Sequence, residues 1–379
     1  MSRPLEKTQA RLASLSTSAL SELARAAAGR GDIAVRSWDC EPVHGGFGSA
    51  VGGTGLYRLR LRTAATQTLP FIVKILYERR GENERSPYYW KREFEVYRSG
   101  MLDGMPANTF TTPEIHRLDD HGDSCWIWME DIADDKGAWS LADFHDIALR
   151  LGRFNGAWLN GAAQPSYAWL SRNWHSAIIP GLADRLDNLA PLLETPLARI
   201  ALPMDARDEI EAIWQERRLF QDALAQQPQT FCHTDAFRRN ILHRDDDVVL
   251  LDWALASVGA IGEELVCLVA VSLFYEGFTA ARADELDNTA FAGYIAGLRE
   301  AGWRGEPELA RLGFTCAMVL RGLAGVKQDL EMLHDAGGYE QMLRTHGMTG
   351  LQDVARLFAD VRRFRLLKMA REARALLKA

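Results

Sequence analysis

The sequence predicts an α+β fold in two lobes, with a small lobe rich in antiparallel β-strands followed by a larger, mainly helical lobe. Segments rich in β-branched and aromatic residues are concentrated in residues 33–131 and 230–251. Most of the later chain instead repeats apolar residues every three or four positions, as amphipathic helices do. A chain of 379 residues is long enough for two lobes with substantial cores. We expect a helical N-terminal extension at 1–32, the β-rich lobe at 33–131 and the helical lobe at 132–379.

Short sequence runs predict the order of elements in the small lobe. A surface helix at residues 5–29 is predicted by leucines that recur every three to five positions and by the terminating glycines Gly29 and Gly31. Strand-like runs then alternate with turn-forming residues, and aromatic residues at helical spacing predict one helix. The predicted order is β-β-β-α-β-β, with strands at Val35–Val43, Gly55–Arg62, Leu69–Leu76, Glu114–Leu118 and Cys125–Met129 and the helix at Pro87–Met101.

The larger lobe is predicted to be helical apart from one loop-rich segment. Apolar residues at spacings of three to four between Leu141 and Trp158 predict a buried amphipathic helix. Where the helical pattern stops, short strands are predicted at Thr230–Cys232, Ile241–His243 and Val248–Leu251. Further helices are predicted at 205–225, 263–278, 281–301, 305–334 and 350–378.

Composition and charge exclude several classes of protein. The net charge is −7, with the excess of acid in the C-terminal part, so no basic surface for nucleic acid is expected. The 5 cysteines lie far apart without a C-x-x-C pair, which argues against a zinc site or a disulfide framework and for a reducing compartment. No secretory signal and no uninterrupted apolar segment long enough to span a bilayer is recognised. We therefore expect a soluble, cytoplasmic protein without a nucleic-acid or membrane partner, and leave its oligomeric state open.

Four polar residues in one segment predict a catalytic centre. His233, Asp235 and Asn240 have the spacing H-x-D-x-x-x-x-N, and Asp252 follows the apolar run Val248–Leu251. Kinases use this arrangement to place one carboxylate near an acceptor hydroxyl and to bind Mg²⁺ through an Asn and a second Asp. Mg²⁺ prefers oxygen ligands and takes one or two carboxylates besides phosphate oxygens and water. We therefore assign Asn240 and Asp252 to the metal and Asp235 to the acceptor proton, and expect His233 to stabilise the loop.

A glycine-rich segment at residues 44–55 lies between the first two predicted strands. Glycines permit a tight hairpin whose backbone N–H groups approach phosphates without obstruction by side chains. We assign Gly46, Gly48 and Ser49 to the phosphates of a nucleotide. A plain turn without a ligand is the alternative.

Lys74 lies in the apolar strand Phe71–Leu76, where an ammonium group is costly unless it reaches a partner. The expected partners are the α- and β-phosphates of ATP and a carboxylate on the following helix. Glu93 and Glu95 point in directions about 200° apart on a helix, so only one can face Lys74, and we choose Glu93. The alternative is a lysine that snorkels to solvent without binding a ligand.

These motifs, in this order, resemble the aminoglycoside phosphotransferase/choline kinase-like family, the small-molecule relatives of protein kinases. The resemblance extends over residues 33–275 and includes Trp128–Asp131, Leu151–Phe154 and Gly262–Leu265. It implies a protein-kinase-like fold and transfer of the γ-phosphate of ATP, or of another nucleoside triphosphate, to a hydroxyl of a small molecule such as an amino sugar or an amino alcohol. It implies Mg²⁺ as cofactor, and adenine bound by the backbone of the connector at Met129, Glu130 and Ile132.

The chain departs from the family pattern at several positions. The usual H-G-D carries Thr234 in its centre, and no Gly follows Trp253, so a mobile activation loop and a protein substrate are not expected. Either Arg238 or Arg239 reaches the γ-phosphate, or both are surface charges. The acceptor pocket is expected to be lined by Trp253, Tyr275, Glu264 and Glu276.

Two other functional classes are compatible with parts of the sequence. A nucleotide-binding protein that has lost catalysis would keep the fold, but Lys74, Asp235, Asn240 and Asp252 are all present. A metal-dependent hydrolase would need a cluster of ligands that includes His233, Asp235 and His243, and it gives Lys74 no role.

Overall fold

The computed structural model describes residues 8, 10–43, 54–134, 136–161, 164–182, 190–276, 278–333 and 340–378. The chain forms two compact units. The first comprises Met1–Gly104, Thr111–Asp135 and Leu242–Ala254, and the second comprises Met105–Phe110, Lys136–Ile241 and Leu255–Ala379. The first unit thus includes the N-terminal helix and residues 242–254, unlike the expected domain 33–131.

The first unit is built on an antiparallel sheet of five strands. These are β1 (Val35–Pro42), β2 (Thr54–Thr63), β3 (Thr68–Tyr77), β4 (Ile115–Asp120) and β5 (Ser124–Glu130), in the spatial order β1-β2-β3-β5-β4. One helix, Arg92–Arg98, lies between β3 and β4 in sequence. The predicted order β-β-β-α-β-β is therefore confirmed. A two-stranded ribbon of Ile241–Arg244 and Asp247–Leu250 follows much later in the chain.

The N-terminal helix differs from the predicted surface helix at 5–29. Helix α1 spans Thr17–Ala28, because the Ser16 hydroxyl accepts the Ala19 N–H and begins a new helix there. It ends at Gly29, which has a φ of 60°, a conformation that glycine adopts without strain. Its residues Leu20 and Leu23 are buried in one cluster with the sheet, so the helix belongs to the core of the first unit.

The helix between β3 and β4, α2 (Arg92–Arg98), is shorter than the predicted Pro87–Met101. The guanidinium of Arg92 donates to the Ser86 and Pro87 carbonyls at 2.6 and 2.7 Å. These two carbonyls are thereby bound by a side chain, and residues before Arg92 form turns. The shortening leaves Glu93 in the first turn of the helix.

The second unit is mainly helical. Its elements, with the ribbon strands β8 and β9 included for chain order, are α3 (Leu141–Asn160), β6 (Ser171–Arg172), α4 (Trp174–Ala177), α5 (Pro196–Ala201), α6 (Met204–Gln215), α7 (Arg217–Gln226), β7 (Gln229–Cys232), β8 (Ile241–Arg244), β9 (Asp247–Leu250), β10 (Ser257–Ala260), α8 (Leu265–Tyr275), α9 (Ala283–Glu300), α10 (Pro307–Met332), α11 (Glu340–His346), α12 (Leu351–Arg362) and α13 (Met369–Leu376). Strands β6, β10 and β7 form a small sheet in that order.

Helices α3 and α9 pack at a distance that only glycine permits. A Cβ atom on Gly152 would lie 2.1 Å from the Tyr294 carbonyl oxygen, and one on Gly297 would lie 2.0 Å from the Leu149 carbonyl oxygen. The absence of side chains at these two positions therefore allows the backbones to touch. This packing holds α3 against the core beside the loop after β7.

The predicted helices of the second unit are present, and two of the predicted segments are divided. The pattern at 205–225 divides at Glu216 between α6 and α7. The pattern at 350–378 contains a π-helical turn at Arg363–Lys368 between α12 and α13. Within the described residues, one helix, α10, is long and apolar enough to cross a bilayer by length and composition, and 72% of its most apolar window is buried inside the protein.

Candidate active site

Lys74 lies in a buried ion-pair cluster of the first unit. Its Nζ is 2.6 Å from Glu93 Oε2 and 2.9 Å from Asp252 Oδ1. Lys74 is 8% exposed and Glu93 is 1% exposed. Burial alone would lower the pKa of Lys74, but the carboxylates of Asp252 and Glu93 outweigh burial and raise it. The lysine therefore stays charged and faces two carboxylates, unlike a lysine that snorkels to solvent.

Of the two candidate glutamates, Glu93 contacts Lys74, whereas Glu95 forms its ion pairs with Arg98 and Lys91. Burial raises the pKa of Glu93 to about 7, and the attraction of Lys74 opposes this increase. Without the ammonium of Lys74 beside it, the pKa of the Glu93 carboxyl would therefore be higher still.

The segment that carries Asp252 is held by Arg92, which is fully buried. Besides its bonds to the turn before α2, Arg92 donates to the Ala254 carbonyl at 3.0 Å. This bond ties the beginning of α2 to the residues after Asp252. Arg92 therefore positions Glu93 and Asp252 around Lys74. Its role was not predicted, since no local pattern distinguishes it from a surface arginine.

Asp252 has a φ of 63°, in the left-handed region that favours glycine. Such strained positions occur where the surrounding structure imposes them, often at functional sites. The following Trp253 is fully buried and donates from Nε1 to the Leu250 carbonyl at 3.3 Å, which fixes the turn. The side chain of Asp252 keeps 37% of its surface exposed, so it is accessible to a ligand.

In the second unit, the loop after β7 brings Asp235 and Asn240 together. The Nδ2 of Asn240 donates to the Asp235 backbone carbonyl at 2.9 Å and to its carboxylate Oδ2 at 3.0 Å. The Asp235 N–H donates to Nδ1 of His233 at 3.2 Å. His233 is fully buried and stabilises the loop through this hydrogen bond, in agreement with the structural role expected from the sequence.

The carboxylate of Glu264 accepts hydrogen bonds from the backbone of this loop. Its two carboxylate oxygens accept the backbone N–H groups of His233 and Thr234 at 2.7 and 3.1 Å. Burial raises the pKa of Glu264 to about 7, and these two N–H groups oppose the increase. Thr234 has a φ of 71°, a costly conformation for a β-branched residue. The hydrogen bonds of Glu264 therefore maintain a strained backbone directly before Asp235.

We expect Glu264→Ala to destabilise the protein by about 2–4 kcal/mol, because it leaves two buried N–H donors without an acceptor. The free energy of unfolding in urea measures this effect. The control is Glu211→Ala, which removes an exposed helical carboxylate and should change stability by less than about 0.5 kcal/mol. Equal stability of the Glu264 variant and the wild type would contradict the role of Glu264.

The oxygen atoms of Asn240 and Asp252 fit Mg²⁺ in their chemistry. Asn240 donates to Asp235 through Nδ2, so its Oδ1 is the neutral oxygen that we assign to the ion. Asp252 contacts Lys74 through Oδ1 and has a second oxygen on a partly exposed carboxylate. Within the described residues, no group of three or more His, Cys, Asp and Glu could hold a metal ion. Each of the two residues, taken separately, offers an oxygen of the type that Mg²⁺ prefers. The ligand cluster that the hydrolase alternative requires is missing from this part of the chain.

The predicted connector begins within β5, which ends at Glu130, and continues to Ile132. Met129 is buried and pairs with Ile72 of β3. Glu130 Oε2 lies 2.8 Å from Arg244 Nη1, so the side chain of Glu130 is engaged in an ion pair. Among the described residues, the backbone groups of Ile132 make no hydrogen bond, which is compatible with backbone recognition of adenine. Gly46, Gly48 and Ser49 lie outside the described residues.

Two of the residues expected to line the acceptor pocket do not do so. Trp253 and Glu264 are fully buried, because Trp253 packs in the core and Glu264 holds the loop. Tyr275 and Glu276 are partly exposed.

The two arginines after Asp235 have separate contacts in the second unit. Arg238 donates to backbone carbonyls, at 3.2 Å to Ile241 and 3.3 Å to Gly137, so it stabilises the loop. Arg239 lies over the ring of Tyr275, 5.0 Å from the centroid.

Two residues beside Asp235 were not predicted. The thiol of Cys267 donates to Asp235 Oδ1 at 3.2 Å. The Nη2 of Arg321 lies 3.8 Å from the same oxygen. Both residues lie on helices far along the chain, α8 and α10, and no sequence motif links them to the loop.

A family model described as the phosphotransferase enzyme family (APH) matches residues 110–309. No curated protein matches the sequence significantly. Among solved structures, the amicoumacin kinase hAmiN in complex with AMP-PNP, Ca²⁺ and Ami has a TM-score of 0.50 at 12% identity, over 83% of this chain and 88% of that chain. A choline kinase from Cryptosporidium parvum Iowa II has a TM-score of 0.50 at 11% identity, over 90% of each chain. These likenesses confirm the predicted protein-kinase-like fold class.

Proposed function

The chain belongs to the phosphotransferase enzyme family, and from this premise we propose that it transfers the γ-phosphate of ATP to a hydroxyl group of a small molecule with the help of Mg²⁺. The observation that most supports the proposal is the cluster of Lys74, Glu93 and Asp252. A buried ammonium with two carboxylates is costly to maintain for stability alone, whereas nucleotide phosphates give it a function.

In this proposal, Lys74 binds the phosphates of ATP and Glu93 keeps the ammonium in position. Asn240 and Asp252 hold Mg²⁺, which neutralises charge that develops on the transferred phosphoryl group when it is bound. The complex of hAmiN with AMP-PNP and Ca²⁺ supports a nucleotide and a divalent cation in this fold. The backbone of Met129, Glu130 and Ile132 receives adenine.

Asp235 is the proposed catalytic residue. Its carboxylate accepts or orients the proton of the acceptor hydroxyl, while Asn240 holds one carboxylate oxygen at 3.0 Å. The acceptor oxygen forms a bond to the γ-phosphorus as the bond to the β-γ bridging oxygen breaks, and ADP leaves. The acceptor class expected from the sequence, an amino sugar, an amino alcohol or a similar metabolite, stays a prediction.

A titration of the melting temperature with ATP, with and without Mg²⁺, tests the nucleotide site. A screen of small hydroxyl compounds for ADP production tests the transfer. Binding of ATP and Mg²⁺ without ADP production from any acceptor would favour the nucleotide-binding protein that has lost catalysis.

We expect Lys74→Met to weaken ATP binding by at least about 10-fold, because a charge-assisted contact to phosphate is lost. The same change leaves Glu93 buried without a cation, which costs about 3–5 kcal/mol of stability. Lys74→Met combined with Glu93→Gln should recover stability without recovering ATP affinity. Calorimetric ATP affinity and urea unfolding separate the two effects, and wild-type ATP affinity in the double variant would show that Lys74 is structural only.

A further inference from the structure

Arg365 is a buried arginine of the second unit that lacks a counter-charge of its own. It is 8% exposed, and its guanidinium lies over the ring of Phe274, 5.1 Å from the centroid. Its Nε is buried without a hydrogen-bond partner. Among the described residues, Arg365 makes neither a hydrogen bond nor an ion pair. A buried guanidinium in this state is costly unless a ligand supplies the missing anion.

Asp329, the carboxylate that attracts Arg365, already has a partner. Asp329 Oδ2 lies 3.1 Å from Nη2 of Arg362, which is also buried. Two guanidinium groups therefore share one carboxylate, and one positive charge is left over. Burial lowers the pKa of Arg365 to about 10, and the attraction of Asp329 only partly opposes this.

Arg365 belongs to the surroundings of the catalytic loop. Arg321, whose Nη2 is 3.8 Å from Asp235 Oδ1, is close enough to lower the pKa of Arg365 by repulsion. Burial raises the pKa of Tyr275, and the positive charge of Arg365 opposes this increase. The ring of Tyr275 also lies under the guanidinium of Arg239. Arg239 and Arg365 are thus close to Tyr275, one of the residues expected to line the acceptor pocket, together with the carboxylate of Asp329.

The backbone at Arg365 is unusual as well. It lies in the π-helical turn Arg363–Lys368 that interrupts two α-helices. Such turns are rare and occur frequently at functional sites. The same turn leaves Arg363 largely exposed, with its side chain 56% accessible.

We propose that Arg365, together with Arg321, binds an anionic group of the acceptor, so that the acceptor is a small molecule that carries a phosphate or a carboxylate besides its reacting hydroxyl. Guanidinium groups recognise both oxyanions through paired N–H donors. The proposal rests on the proposed function, since it takes Asp235 as the residue beside the reacting hydroxyl. It favours an acceptor with an anionic group over the plain amino sugars and amino alcohols expected from the sequence.

Thermal unfolding with inorganic phosphate and with malonate tests this site in four proteins: the wild type, Arg365→Met, Arg365→Lys and the control Arg363→Met. We expect at least one probe to stabilise the wild type and the control, with an affinity about 10- to 100-fold lower in Arg365→Met. Arg365→Lys should keep part of the affinity because it keeps the charge. The stronger of the two probes distinguishes a phosphate from a carboxylate.

The melting temperature without any probe provides a second measurement. Arg365→Met should be at least as stable as the wild type, because it removes an uncompensated buried charge and keeps the packing on Phe274. A less stable Arg365→Met, equal probe affinity in Arg365→Met and wild type, or no stabilisation of the wild type by either probe would overturn the proposal. Stabilisation by ATP with Mg²⁺, measured in the same four proteins, tests the proposed function separately.

Discussion

Asp235→Asn is expected to lower turnover by at least about 100-fold, the loss typical of removing a positioned base. The substitution keeps an oxygen that accepts the hydrogen bond of Asn240 Nδ2, so the loop should retain its shape. The carboxamide cannot take the hydroxyl proton. Binding of ATP and Mg²⁺ should be unchanged, because Lys74 and Asp252 are untouched. Steady-state ADP production and an ATP titration measure the two effects.

The matched control for this variant is Asp222→Asn, which makes the same chemical change at an exposed position of α7. It should leave both turnover and stability unchanged. Full activity of Asp235→Asn would remove Asp235 from the mechanism. Weakened ATP binding in that variant would instead assign Asp235 to the metal.

Asp252→Asn is expected to abolish the Mg²⁺-dependent part of ATP stabilisation, because it removes the one anionic oxygen assigned to the ion. At a ligand concentration of 100 times Kd, binding stabilises a protein by about 2.7 kcal/mol, and the part of this stabilisation that depends on Mg²⁺ should be lost. Asn is preferred to Ala here, since Asn tolerates the φ of 63° at this position. The variant keeps the ion pair of Lys74 and Glu93 and should fold.

Asp246→Ala removes an exposed carboxylate from the turn between β8 and β9 and serves as the control. Its melting temperature should respond to ATP and Mg²⁺ as the wild type does. A wild-type response of Asp252→Asn would contradict the metal assignment. A response to ATP alone, without a further shift on addition of Mg²⁺, is the expected result.

Short-range patterns in the sequence predicted most of the fold. The alternation of strand-like runs and turns predicted the five strands of the first sheet, and the three-to-four spacing of apolar residues predicted α3. The ends of the helices were predicted less well. Helix α1 begins at Ser16 through a side-chain cap, and α2 is shortened by hydrogen bonds of Arg92 to Ser86 and Pro87.

The candidate site followed from the sequence where the spacing of residues carries the chemistry. The H-x-D-x-x-x-x-N motif selected Asp235 and Asn240. Helix geometry limited the expected partner of Lys74 to one of Glu93 and Glu95, and the structure shows that it is Glu93. Their functional roles stay predictions. The spacing works because a loop of a few residues or one turn of helix restricts where side chains point.

Other contacts could not be predicted from the spacing of residues. They are those of Glu264, Cys267, Arg321 and Arg365. These residues lie far from the catalytic loop in sequence and reach their partners only because helices α8 and α10 and the π-helical turn pack in the same unit. A carboxylate such as Glu264 has the same local sequence signal whether it lines a pocket or accepts buried backbone N–H groups. Burial and hydrogen bonding distinguish the two, and both depend on the packing of distant segments.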